Sequence, residues 1–501
     1  MRSRPAPASA LPNATAIGAT FSRPLVHSAG KLLAKETKAR NAVCLLAPTI
    51  NIQRSPLGGR AFESFSEDPT LSGEIAGAYV NGLQSDGVSA TIKHFVANDQ
   101  EHERMGEDSI VEERALREVY LRAFQIAQKR STPWAYMTSY NKLNGTHCSE
   151  NKWLLQDVLR KEWKHDGLIM SDWYGTYSVS ESINAGLNLE MPGETIWRTS
   201  KQVLHLIRAY KIDLRTIDKV AGEMLAWVQK LARLNPELVY AKPSPERTRT
   251  EDKEEDAKLL RQLGGESLVV LKNENGVLPV TGQSKKVAVI GPNVKARVLT
   301  GGGSAMLKSS WSVSPWEGLV DNAPDGVELS YATGAVTSKF LPALDENFTC
   351  LDGSSGFDVA HYAIVDGKQG DKPVVTDKRT DSSLFMADFL VPELRPYWIT
   401  EVQALFTSPI SGEYEFSMCV TGMGRLWVND QLVVDASNEI EKGDAFFGCG
   451  SLEIKGRVKV EKGKVGPSRT DCRPGLTSSN TESARCTTAD SHLGTSRSTL
   501  P

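Results

Sequence analysis

The chain has 501 residues, with 58 Lys plus Arg against 61 Asp plus Glu and a formal net charge of −3, a balance that leaves no basic footprint for nucleic acid. Its 40% hydrophobic content suffices for real cores in roughly three domains. Seven cysteines at irregular spacing argue against a disulfide framework or a zinc ribbon, and no run approaches transmembrane length, so no membrane partner is expected. The opening Met1-Arg2-Ser3-Arg4-Pro5 lacks the apolar core of a secretory leader. The chain as written is therefore expected to be soluble and cytoplasmic, with secretion following only if a leader precedes Met1.

In chain order, short apolar-rich runs at 41–52, 88–92, 134–140, 167–171 and 186–190 read as strands. Between them lie stretches with apolar residues at three- and four-residue spacing. One, at 71–83, carries Ile75, Tyr79, Val80 and Leu83; another, at 112–130, carries Leu116, Val119, Tyr120, Ala123, Phe124 and Ala127; a third spans 153–163. That spacing predicts amphipathic helices. Strands alternating with helices imply a parallel sheet with right-handed crossovers, whose C-terminal strand tips form one face and hold the site.

The tips carry chemistry. After the first strand come Leu57-Gly58-Gly59-Arg60 and Phe62-Glu63-Ser64-Phe65-Ser66-Glu67-Asp68-Pro69; the second ends in Lys93-His94; the third runs into Met137-Thr138-Ser139-Tyr140-Asn141; the fourth ends in Met170-Ser171-Asp172-Trp173-Tyr174-Gly175. A strand reading Leu-Ile-Met gains nothing by ending in Asp unless that Asp caps the next helix or meets a ligand, because an unpaired buried charge is costly. Cations, an imidazole, hydroxyls, an aromatic plane and a carboxylate on one rim suit a polyhydroxylated neutral ligand, which needs donors and acceptors together. Each residue also has a plainer reading. Arg60 and Glu63 can form a structural ion pair, His94 can be a satisfied core histidine, and Trp173 can be packing. Asn98-Asp99-Gln100-Glu101-His102-Glu103-Arg104 reads as a hydrogen-bonded loop that orients Lys93 and His94. His102 has no second His or Cys at ligand spacing, so no metal is expected.

Further along, 236–256 is rich in Lys, Pro, Glu and Arg and reads as a solvated linker. A helix over 256–264 leads to Val287-Ala288-Val289-Ile290-Gly291 and Gly301-Gly302-Gly303-Ser304, neither of which has the full glycine spacing of a dinucleotide or phosphate site, so no cofactor is expected. Runs at 399–406, 412–418 and 424–435 alternate with turn residues between them, as antiparallel strands do. The Ser-, Thr-, Arg- and Gly-rich 465–501, with Cys472 and Cys486 isolated among polar residues, reads as disorder.

The ordered motifs Asn51-Ile52-Gln53-Arg54-Ser55-Pro56-Leu57-Gly58-Gly59-Arg60 with Phe62-Glu63-Ser64-Phe65-Ser66-Glu67-Asp68-Pro69, then Lys93-His94-Phe95, Met137-Thr138-Ser139-Tyr140-Asn141 and Met170-Ser171-Asp172-Trp173, resemble those of glycoside hydrolase family 3, over most of residues 10–465. The likeness is to its fungal β-glucosidase members. It implies an α/β chain: an incomplete (β/α)8 TIM-like barrel at 1–235, the 236–256 linker, the start of an α/β sandwich domain at 257–336, a protective-antigen-type β-sandwich inserted at 337–464, and a disordered tail at 465–501. It also implies Asp172 as the nucleophile of a retaining double displacement, Arg60, Lys93 and His94 on sugar hydroxyls, and Met137, Tyr140 and Trp173 lining the first sugar subsite. The expected ligands are β-glucosides and short gluco-oligosaccharides.

Lys93-His94-Phe95-Val96-Ala97-Asn98-Asp99 departs from the Lys-His-Phe-Pro-Gly stretch of the branch that uses a catalytic His. The resemblance thus implies a Glu from the following domain as acid/base. It further implies a chain shortened at both ends, with five countable barrel strands against the eight of a closed barrel and with that Glu outside the sequence. Weak turnover of natural glucosides is the resulting expectation; the alternative is a non-catalytic sugar-binding or non-functional piece of such an enzyme.

Overall fold

The computed structural model describes residues 6–193, 196–242, 244–335, 339–341, 344, 347–380, 382–384, 391–394, 397–438, 441–443, 450–463, 465–473 and 491–497. Two units divide the chain, one over 3–332 and one over 333–501.

In the first unit, strands Cys44–Leu45, Ser89–Phe95, Ala135–Thr138 and Leu168–Met170 lie side by side in chain order, all parallel, with Cys44 opposite Ser89, Thr91 opposite Ala135 and Ala135 opposite Leu168. The fifth expected strand is reduced to one parallel bridge between Met170 and Leu189. The strands are buried almost throughout, which explains their continuous apolar runs. Every crossover therefore delivers its strand tip to the same edge.

The helix predicted at 71–83 is Pro69–Ser85, started by Asp68, whose side chain accepts from Thr70 N at 2.6 Å and Leu71 N at 3.3 Å, with Pro69 at the first position. It crosses Arg23–Ala39 closely: a Cβ on Gly82 would lie 2.2 Å from the His27 carbonyl oxygen. The 112–130 helix is interrupted. Between Glu113–Ala115 and Arg122–Ser131 the turn Leu116–Tyr120 is π-helical, Leu121 N–H donating to Leu116 O at 2.8 Å, and Trp153–Glu162 is π-helical throughout. Apolar spacing marks the buried face but does not register an extra residue per turn. Phe95 at the core meets Phe124 and Tyr136 edge-on at 5.1 and 5.3 Å.

The segment read as a solvated linker is in part built into the unit. Arg249 is buried and paired with Asp256 at 2.7 Å and Glu36 at 3.4 Å, and Asn41 Nδ2 donates to Ser244 O at 2.8 Å. The following helix, Lys253–Glu266, sets Leu260 and Leu263 against Leu25, Ala29 and Leu32. Lys286–Ile290 and Glu328–Ala332 then pair in parallel around the helix Pro315–Asn322, which is started by a reciprocal Ser314–Glu317 capping box.

The second unit is antiparallel. One sheet contains Phe357–Val365, Trp398–Thr407, Val465–Arg473, Met423–Val428 and Gln431–Ala436; another contains Ser383–Leu384, Ser491–Arg497, Gly412–Val420 and Ile454–Val460. Phe406 of the first and Phe416 of the second meet at 5.7 Å in a shared apolar core. This corrects the expectation of disorder for 465–473 and 491–497. Val465–Arg473 is an interior strand, with Thr470 between Val402 on one side and Leu426 on the other, and Ser491–Arg497 pairs along Gly412–Val420. Its buried positions, Gly466, Ser468 and Thr470, are small or hydroxylated, so composition hides a strand whose backbone bonds come from both neighbours. Residues 474–490, including Cys486, and 498–501 lie outside the described residues.

Candidate active site

Asp172 follows directly on the Leu168–Met170 tip and is buried. Its Oδ1 accepts the N–H of Trp173 at 2.7 Å, and Gly175 N–H closes the turn on the Asp172 carbonyl at 2.9 Å. The carboxylate caps no helix: the next one, Ser180–Ala185, begins at Val179 without a side-chain cap. Oδ2 makes no full hydrogen bond among the described residues and stands 3.4 Å from His94 Nε2, with the Tyr140 hydroxyl as the neighbouring donor to the carboxylate. A buried carboxylate oxygen left in this state is expensive in a structural residue and normal in one that meets a ligand. The turn is tied to the next tip, since Tyr174 N–H reaches Met191 O at 2.9 Å and Ser171 Oγ accepts Met191 N–H at 3.0 Å.

His94 is buried, and its protonation follows from its neighbour. Arg60 Nη1 lies 3.0 Å from Nε2, and a guanidinium can only donate, so Nε2 is an acceptor and the ring is neutral. Burial, then the charges of Arg60, Lys93 and Arg104, holds its pKa well below the ordinary 6.5. The contact between His94 and Asp172 is thus between two acceptors and is no ion pair. Asn51 fixes the His94 backbone on both sides, accepting its N–H at 2.8 Å and donating to its carbonyl at 2.9 Å.

Arg60 precedes the short 3-10 turn Ala61–Glu63, and Glu63 takes its Nε at 3.0 Å and Nη2 at 2.8 Å. The ion pair and the His94 contact coexist, so the plain reading of Arg60 and Glu63 as an ion pair is realised. Lys93 lies at the end of Ser89–Phe95 with its ammonium in no ion pair or hydrogen bond among the described residues. Burial and the Arg60 charge pull its pKa down, while Glu63 and Asp172 oppose them.

Tyr140 is buried, its carbonyl accepting from His147 Nδ1 at 2.9 Å and from the Tyr177 hydroxyl at 3.2 Å, and those two rings stack at 3.7 Å. Burial and the adjacent Asp172 charge push both phenols, Tyr140 and Tyr177, upward, and for Tyr140 a hydrogen bond to the Asp172 carboxylate adds to this, so both stay protonated donors. Trp173 is 37% exposed beside the nucleophile candidate. Met137 is 1% exposed and sits in an apolar cluster with Ala135, Leu168 and Met170. It supports the site from the sheet; the polar groups converge without it.

Arg104 was not singled out by its sequence. Its guanidinium lies 4.7 Å over the Tyr140 ring and pairs with Glu101 at 2.6 Å, while Asn98 Nδ2 donates to Glu101 at 2.8 Å. The 98–104 loop carries hydrogen bonds, but among the described residues none of them reaches Lys93 or His94, the pair it was expected to orient; instead it delivers a cation that packs over Tyr140. Among the described residues no group of three His, Cys, Asp or Glu side chains could hold a metal ion, and no helix is long and apolar enough to cross a membrane.

Comparison with known proteins shows the family. The model of the glycosyl hydrolase family 3 N terminal domain matches residues 1–226 and that of the family 3 C-terminal domain residues 268–454. The chain is 42% identical over 481 residues to "Probable beta-glucosidase K" of Emericella nidulans, covering 94% of this chain and 56% of that protein. It is 42% identical over 464 residues to "Probable beta-glucosidase I" of Aspergillus niger, covering 92% and 55%. The β-glucosidase of Kluyveromyces marxianus, solved in complex with glucose, superposes with a TM-score of 0.90 at 37% identity over 99% of this chain and 59% of that one. The chain thus spans a little over half the length of the curated relatives it matches.

Proposed function

Since the chain belongs to glycosyl hydrolase family 3, we propose that its site is that of a β-glucosidase, acting on terminal non-reducing β-D-glucosyl residues through a covalent intermediate on Asp172. The observation that carries this reading is the pairing of two incomplete groups on one rim, a buried carboxylate oxygen with no full hydrogen bond and only the Tyr140 hydroxyl as a neighbouring donor to its carboxylate, and a Lys93 ammonium without an acceptor among the described residues. A sugar hydroxyl ring answers both needs at once, giving Lys93 an oxygen and placing C1 against Asp172.

In this scheme Arg60, Lys93 and Arg104 donate to ring hydroxyls, and the exposed Trp173 offers an apolar face to the sugar. The parallel strands of the first unit are read as part of the family's barrel, which would set these groups at its C-terminal rim. The carboxylate attacks C1 as the glycosidic bond breaks, charge passes through an oxocarbenium-like state, and the resulting ester is cleared by water. The leaving oxygen needs a proton. Of the neighbouring carboxylates, Glu63 is bound to Arg60 and Glu101 to Arg104, so neither is free to supply it. General acid catalysis is typically worth roughly a hundred- to ten-thousand-fold. The 501-residue chain is therefore proposed to handle activated aryl glucosides far better than cellobiose or other natural β-glucosides.

The same pair of occupied carboxylates supports a second reading, a sugar-binding site without turnover. A slow 2-fluoroglucoside with a good leaving group separates the two. A covalent adduct on Asp172 supports the enzyme, whereas glucose binding by calorimetry without any adduct supports the second reading.

A further inference from the structure

Glu63 makes no bond to Asp172, yet its carboxylate joins two segments that build the rim. Oε1 accepts Arg60 Nε at 3.0 Å; Oε2 accepts Arg60 Nη2 at 2.8 Å and the Thr49 hydroxyl at 3.1 Å. The pair is largely enclosed, with side-chain exposures of 18% for Arg60 and 13% for Glu63. Two donor positions of the guanidinium being occupied, its third nitrogen is aimed at His94 Nε2. Thr49 is itself bridged to Lys93 across the strands, and Ile50 N–H donates to Lys93 O at 2.8 Å, so the segment that holds Glu63 also holds Lys93.

Two cations with little access to water cannot both stay charged without compensation. The groups that bear on Lys93 are Arg60 and Glu63 from the 60–63 turn and Asp172 from the neighbouring tip, with the neutral His94 next to it in its own strand. Glu101 and Arg104, from the 98–104 loop, bear on Arg60 and His94 respectively. Asp172 is committed to the reaction and loses its charge in the covalent intermediate, which leaves Glu63 as the constant anion.

We propose that Glu63 is a positioning residue of the site: it fixes the Arg60 fork toward His94 and the bound sugar, and it keeps Lys93 protonated beside Arg60 through both steps of the displacement. This rests on the reading of Asp172 as nucleophile. A merely structural Glu63 would affect folding and packing but not the pH at which Lys93 loses its proton.

The test is the pH dependence of the rate at which a 2-fluoroglucoside with a dinitrophenolate leaving group labels Asp172, followed by intact mass. Labelling of the wild-type chain should fall at alkaline pH, and Lys93→Arg should abolish that fall. In Glu63→Gln the fall should move to lower pH by about one unit, as expected for loss of an opposite charge nearby, and Glu63→Asp should bring it back toward the wild-type position. Slower labelling of Glu63→Gln with an unmoved alkaline limb would overturn the proposal, as would persistence of the limb in Lys93→Arg. Should Glu63→Gln fail to fold, Arg60→Gln carries the test with the opposite sign: the limb moves to higher pH, and an unmoved limb overturns the proposal. Absence of any adduct in the wild-type chain would instead remove the nucleophile reading itself, a result distinct from a labelled chain whose limb does not respond to residue 63.

Discussion

Asn51 grips the backbone of His94 from both sides, donating to its carbonyl oxygen at 2.9 Å and accepting its amide proton at 2.8 Å. Both residues are buried, so no water competes for these groups. Asn51→Leu leaves a buried N–H and a buried C=O without partners and should cost about 2–4 kcal/mol in a urea melt. Equal stability of the wild-type and Leu chains would show that the His94 loop does not depend on this contact.

Arg104 is held between the Tyr140 ring and Glu101. Arg104→Met keeps much of the apolar stem and removes the charge, which should weaken glucose binding by about tenfold, the value of a charged hydrogen bond of roughly 1.5 kcal/mol or more. Calorimetry with glucose measures it. An unchanged affinity would mean that Arg104 serves the Tyr140 ring alone.

His165 is the clearest acid liability of the fold. Burial, then the Arg160 charge, lowers it from 6.5 to about 3, and in the second unit burial lowers His361 to about 4. Above pH 6.5 each is neutral in both folded and unfolded chains and contributes no pH dependence. Below it the unfolded chain binds protons that the folded chain refuses, so stability should fall as pH drops from about 6.5 toward 3. His165→Gln can still donate to the Leu168 carbonyl, which His165 Nε2 faces at 3.3 Å, but does not titrate. Its melting temperature should vary less across that window than the wild type's; an identical slope would contradict the assignment.

The sequence made the parallel sheet legible because buried parallel strands are written as unbroken apolar runs, as in Leu168-Ile169-Met170, and because Pro69 after Asp68 announces a helix start. Asp172, Arg60, Lys93 and His94 stood out as candidates by their place at strand tips, but their roles came from the likeness of their motifs to family 3, since Arg60 also reads as half of an ion pair and His94 as a core histidine. Arg104 was hidden because its role depends on a ring 36 positions away in the chain, a relation with no periodic signature. The π turns at Leu116–Tyr120 and Trp153–Glu162 were hidden because apolar spacing reports a face and not a pitch. The strand Val465–Arg473 was hidden because its buried residues are Gly, Ser and Thr, which composition assigns to coil; its neighbours, not its own side chains, make it a strand.

The account stands most directly on the carboxylate at position 172. The wild-type chain should be incubated with a 2-fluoroglucoside bearing a dinitrophenolate leaving group, digested and mapped by mass spectrometry. The predicted result is a single fluoroglucosyl adduct on Asp172, absent from Asp172→Asn; an adduct on any other residue, or persistence of labelling in Asp172→Asn, would contradict it.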